Sequence, residues 1–234
     1  TILRAYLHYL RQTGIAFSLP YMESAITTYP DIAKEIVTYF KDLFNTDSEA
    51  LSEKKKENRV KAIYKKLDVV RSLDHDRIFR SLTGLVSATL RTNFYQLNKD
   101  GEHKDYLSFK LDSSMIEELP QPKPYREIFV YSARVEGVHL RGDKIARGGL
   151  RWSDRHEDFR TEVLGLMKAQ QVKNAVIVPM GAKGGFVIKN PPKNADRAAY
   201  LAEGIECYKI FIRGLLDITD NRKGLKVIPP KQVI

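Results

Sequence analysis

The apolar residues of this chain change their repeat near residue 100, and that change restricts the fold more than any other feature. Before it, apolar positions recur every three or four residues. Ile2, Leu3, Tyr6, Leu7 and Leu10 form one such stripe, closed by Gly14. Helices are also expected over 21–26 and 32–44, with Pro20 and Pro30 at their starts. A long helix is expected over 76–95, with Ile78, Phe79, Leu82, Leu85, Val86 and Leu90 facing inward, and residues 45–56 read as a polar loop. After the turn cluster Asn98-Lys99-Asp100-Gly101, residues 106–111 alternate with period two, the mark of a half-buried strand. Residues 127–133, 135–140, 150–152, 176–178 and 186–188 also read as strands. Residues 157–173 and 195–218 read as helices, the first with Asp154 as N-cap and Glu157 at capping-box spacing. The pattern gives an α/β class: a helical region over 1–100, then a mixed-sheet α/β domain over 101–234, with no complete Rossmann domain.

Composition removes several functions. The formal charge of +10 invites a nucleic-acid reading. However, the densest basic run, Lys54-Lys55-Lys56 with Arg59, Lys61, Lys65 and Lys66, is interrupted by Glu53 and Glu57 and reads as a solvated helix face. No zinc-finger, RNP or helix-turn-helix signature accompanies it, so no nucleic-acid partner is expected. No apolar run approaches the roughly 20 residues that a membrane-spanning helix needs. The single cysteine, Cys207, lies in an apolar helical pattern and cannot form an internal disulfide, which suits a cytoplasmic protein. His139 and His156 lack metal-ligand spacing and read as structural, so no metal is expected. The first residue is Thr1, and the chain reads as a piece of a longer one.

Three features carry chemistry. In Arg147-Gly148-Gly149-Leu150-Arg151-Trp152, two glycines between two arginines let the backbone turn and bring two guanidinium groups together, geometry suited to a carboxylate. The same segment also fits a basic surface hairpin. On the next helix, Phe159, Val163 and Leu166 form an apolar stripe that continues into Gln170 and Lys173. Polar groups at the end of a buried face need partners, and a ligand can be one; alternatively the helix simply leaves the core there. In Pro179-Met180-Gly181-Ala182-Lys183-Gly184-Gly185, a lysine on a strand-to-strand turn is flanked by glycines, so a substrate can approach it closely. The spacing is neither that of a phosphate-binding loop nor of a dinucleotide fingerprint, and a flexible surface loop is the bland alternative. If the three features share one site, crowded cations and desolvation lower a lysine pKa and favour a general base.

Arg147-Gly-Gly-Leu-Arg, Gln170-x-x-Lys173 and Pro-Met-Gly-Ala-Lys183-Gly-Gly, in this order, resemble the substrate-domain motifs of glutamate dehydrogenases. The run from Gly148 to Gln170 resembles the large, NAD-specific bacterial subclass, and the likeness is dense over 135–189. The resemblance implies oxidative deamination of L-glutamate to 2-oxoglutarate and ammonium, with NAD as hydride acceptor. It implies Lys183 as catalytic lysine, Lys173 as ligand of the α-carboxylate and Gln170 as a nearby hydrogen-bonding group. Arg147, with Gly148 and Gly149, occupies the place where small relatives carry a lysine for the side-chain carboxylate. The family motif usually has one more glycine before the Ala-Lys pair. The resemblance further implies a homo-oligomer, a catalytic aspartate beyond the last residue, and NAD bound mainly outside this chain, so that the piece alone is expected to be inactive. Two other readings stay open: a related dehydrogenase of an apolar amino acid, and a non-catalytic regulatory or assembly domain.

Overall fold

The fold is that of a computed structural model describing residues 1–174, 180–192 and 196–233, with side chains over those spans apart from 171–174. Five helices come first: α1 (Ile2–Gln12), α2 (Leu19–Thr28), α3 (Pro30–Phe44), α4 (Glu53–Lys66) and α5 (Leu73–Ala88). Strands β1 (Thr89–Thr92), β2 (Tyr106–Leu111), β3 (Arg126–Ser132), β4 (Val135–Arg141) and β5 (Leu150–Trp152) follow. Then come α6 (Phe159–Asn174), β6 (Ala182–Ile188), α7 (Arg197–Asp217) and an exposed hairpin of β7 (Asn221–Lys223) and β8 (Lys226–Ile228).

Six strands form one sheet in the order β1-β2-β3-β4-β6-β5. The pairs are antiparallel except β5 with β6, which run parallel. Successive side chains of a strand point to opposite faces, so each face gathers its own core. Phe109, Leu111, Phe129, Val138, Leu140 and Val187 meet the buried stripes of α1, α3, α5 and α6. On the other face Tyr106, Val130, Phe186 and Ile188 meet Cys207, Ile210 and Phe211 of α7. Helix α1 lies against the centre of the first face: Tyr6 stacks on Phe109 with ring centroids 4.3 Å apart, and its hydroxyl lies 2.7 Å from Thr89 Oγ1. The helical start and the mixed sheet thus combine as the hydrophobic repeat implies.

Three boundaries differ from the sequence reading. The fifth helix stops at Ala88 rather than near 95, because Thr89 turns extended and the strand it opens, with β-branched Thr89 and Thr92 at its ends, pairs with β2. Leu90, which continues the helical stripe in sequence, is exposed on the strand. The polar stretch before 56 already enters α4 at Glu53. Helix α6 starts at Phe159, and its first carbonyl acceptor is Asp158, which receives Glu162 N–H; Asp154 instead closes a tight turn with His156 N–H. The strand expected over 176–178 lies outside the described residues.

Candidate functional site

Main-chain hydrogen bonds bring the first and third sequence motifs side by side. Arg147 N–H donates to Met180 O at 3.2 Å, Ala182 N–H to Arg147 O at 3.0 Å, and Gly184 N–H to Gly149 O at 3.0 Å. The parallel register continues through Leu150 with Gly184, Arg151 with Gly185 and Trp152 with Phe186. Lys183 therefore stands within a paired strand, opposite Leu140 of β4, and not on the strand-to-strand turn that its glycines suggest. Those glycines serve close packing. A methyl group built on Gly148 would lie 1.3 Å from Ala182 O, on Gly184 2.3 Å from Leu150 Cδ2, and on Gly185 2.5 Å from Val163 Cγ2.

The alternation of β6 decides what faces Lys183. Gly181 and Gly185 approach α6, at Met167 O and Val163 respectively, so Lys183 between them is on the α6 side of the sheet. Gln170 is there too, its Cβ 3.0 Å from the place of a methyl group on Gly181. Gly149 lies beside the ammonium, with Lys183 Nζ 3.8 Å from the position of a methyl group on it. Arg147 is exposed at the parallel bridge to Gly181. Arg147, Gly148, Gly149, Gln170 and Lys183 are thus neighbours across two strands and one helix. Lys173 falls in the last turn of α6, where its side chain lies outside the described residues.

Charge within this group is unbalanced. Among the described residues, no carboxylate lies within ion-pair distance of part-buried Lys183 or of Arg147. Arg151 behaves differently from the expectation that both arginines converge on one anion. Its Nε is 2.7 Å from Glu162 Oε1, and Ser153 Oγ donates to Oε2 of the same carboxylate at 2.5 Å. His139, opposite Gly184, faces away from Lys183 across the sheet. His156 lends only its carbonyl to the neighbourhood, accepting from Gln12 Nε2 at 3.0 Å. No group of His, Cys, Asp or Glu that could hold a metal occurs among the described residues.

What sets the start of α6 is a buried network that the sequence reading passed over. Arg160 donates from Nε to Glu127 Oε2 at 2.8 Å and from Nη2 to Glu127 Oε1 at 3.0 Å, with both side chains essentially inaccessible. Ser113 Oγ adds a bond to Glu127 at 2.9 Å, and Gln12 Oε1 accepts from Arg160 N–H at 3.3 Å. The signal was present: Glu127 shares the core-facing parity of Phe129 and Tyr131, where a lone carboxylate needs a buried partner.

The family model for the catalytic domain of bacterial NAD-glutamate dehydrogenase matches residues 62–234, and the model for glutamate dehydrogenase helical motif 3 matches residues 1–46. Proteins named NAD-specific glutamate dehydrogenase from Halomonas elongata and Pseudomonas aeruginosa are each 56% identical across the whole chain, and one from Mycobacterium tuberculosis is 50% identical. The chain spans only 14–15% of the length of these relatives. No helix among the described residues is long and apolar enough to cross a membrane. By the match over most of its length, the chain belongs to the bacterial NAD-glutamate dehydrogenase family and forms part of its catalytic domain.

Proposed function

We propose that the protein carrying this chain oxidatively deaminates L-glutamate to 2-oxoglutarate and ammonium, and that this chain holds and activates the amino acid. The carrying observation is Lys183: a part-buried ammonium beside bare glycine backbone, with no counter-ion of its own among the described residues. A desolvated charge without a partner is costly, and a bound carboxylate or a polarised water supplies one. In this reading Arg147 pairs with the side-chain carboxylate of glutamate. Gln170 and Lys173 bind around the α-carboxylate. Lys183, as the neutral amine, takes a proton from the water that adds to the imine carbon and returns it to the nitrogen as ammonia leaves.

NAD supplies the hydride acceptor when bound. The glycine pairs at 148–149 and 184–185 lie in or beside paired strands and do not open onto a helix N-terminus, so they do not form a dinucleotide-phosphate turn. In this reading NAD is bound mainly outside this chain.

The test is NADH formation by the intact protein from L-glutamate and from L-leucine, for the parent and for Lys183→Ala. Loss of a general base predicts a fall in kcat of roughly 10²–10⁴-fold with glutamate. Arg147→Met should raise KM for glutamate while leaving the protein folded. A Lys183→Ala protein with unchanged turnover sinks the assignment, and a parent that prefers leucine sinks the role of Arg147.

A further inference from the structure

The sheet has a second cationic site on the face opposite Lys183. Where α7 ends at Asp217, strand positions beyond it are left without a helix above them. There Lys110 of β2 pairs across with Ile128 of β3, and Ile128 with His139 of β4. One step further, Arg126 of β3 and Arg141 of β4 stand directly opposite each other. Like charges in that relation repel and are normally avoided. These five residues, with Leu215 and Thr219, line a pocket of about 230 Å³.

The balance of partners leaves positive charge in the pocket. Arg126 is held by Asp112 at 2.9 Å, and Arg91, beside Lys110, by Asp220 at 2.8 Å. Glu127 also borders the pocket, but its carboxylate is spent on Arg160 on the other face. Among the described residues the Arg141 side chain bonds only the Lys144 carbonyl, at 2.8 Å. Lys110 is half-buried and has no hydrogen-bonding or ion-pair partner among the described residues. Burial, then the Arg91 guanidinium, holds its ammonium below the usual lysine range. His139 makes no side-chain hydrogen bond either, and burial followed by Arg141 pushes it down to about 4, so it stays neutral near pH 7 with one N–H to donate.

We infer that this pocket binds a small oxyanion, with Lys110 and Arg141 as its charged ligands and His139 as a neutral donor at its floor. The volume suits one tetrahedral phosphate group or a short dicarboxylate. Charge-assisted bonds to two otherwise unpaired cations supply the affinity. The site is independent of glutamate turnover, because the β4–β6 register places Lys183 on the far side of the sheet.

The test is calorimetric titration of the intact protein with inorganic phosphate and, separately, with succinate, at ionic strength held constant with sodium chloride. An Arg147→Met, Lys173→Met background removes the cations proposed as carboxylate ligands on the opposite face. We expect saturable binding of one anion class, weakened roughly tenfold or more by Lys110→Met and by Arg141→Met and largely kept in Lys110→Arg. Tighter binding of phosphate identifies a phosphoryl ligand, and tighter binding of succinate a carboxylate. No saturable binding of either probe, or binding that both Met variants leave unchanged, overturns the site.

Discussion

A methyl group on Gly148 would meet the Ala182 carbonyl at 1.3 Å, whereas one on Gly149 would meet only Lys183 Nζ, at 3.8 Å. The two glycines are adjacent, yet they do different things. Gly148→Ala must force β5 from β6, and a cost of about 2–4 kcal/mol is expected from such a backbone clash. Gly149→Ala leaves the strands paired but puts a methyl group where a ligand would approach the ammonium. Hydrogen exchange at Ala182 and Gly184 separates the cases: fast exchange in Gly148→Ala, near-parent protection with raised KM in Gly149→Ala. Fast exchange in both would show that the register does not depend on close approach at 148. The sequence makes the grouping of Arg147, Gln170 and Lys183 legible because the polar groups there have no evident partner nearby in sequence, although the glycines beside them serve close packing. It does not make Arg151 legible, since its partner Glu162 is eleven residues away and is revealed only when α6 lies over the sheet.

Helix α6 reaches the site along a line set at its first turn, where Arg160 and Glu127 join it to β3 and Gln12 joins it to α1. Breaking a buried ion pair from one side leaves the other charge without compensation, at roughly 3–5 kcal/mol, whereas replacing both partners with apolar groups costs far less. Arg160→Met and Glu127→Leu should each destabilise by about that amount, and the double variant by clearly less than their sum. Urea unfolding across the cycle measures it, and strict additivity would mean that the pair is not coupled. Strand β2 is read well from its alternation although both its faces are covered rather than one, because a slip of one residue would exchange the residues of its two cores. The end of α5 is read badly, because Leu90 satisfies the helical period and only pairing with β2 shows that Thr89–Thr92 is a strand.

Helix α1 is tied to the far end of the sheet through Glu136. His8 Nδ1 lies 2.6 Å from its carboxylate and Lys189 Nζ 3.0 Å away, while Lys189 also donates to Ser132 O at 2.9 Å and sits 4.1 Å over the Tyr131 ring. Burial would raise the Glu136 carboxyl, but His8 and Lys189 outweigh it and hold it below the usual carboxylate range. A depressed folded pKa gives stability that is complete above the unfolded value and is lost as pH falls through the folded one. Parent and Glu136→Gln proteins should therefore differ most in melting temperature near pH 7 and converge as pH drops below 4. A gap that persists unchanged at pH 3 would show that the negative charge contributes nothing.

The parallel seam of β5 and β6 is made of main-chain bonds alone, from Arg147 N–H to Gly184 N–H. At 147 its spacing is indifferent to the side chain carried, whereas at 148 it requires glycine. The seam works as a mounting rail: the head group at 147 can be lengthened, shortened or made apolar while Lys183 keeps its place. Under the proposed roles, recognition of a substrate's tail and activation at its α-carbon are separable, and an exchange at 147 alone is expected to change the preferred amino acid.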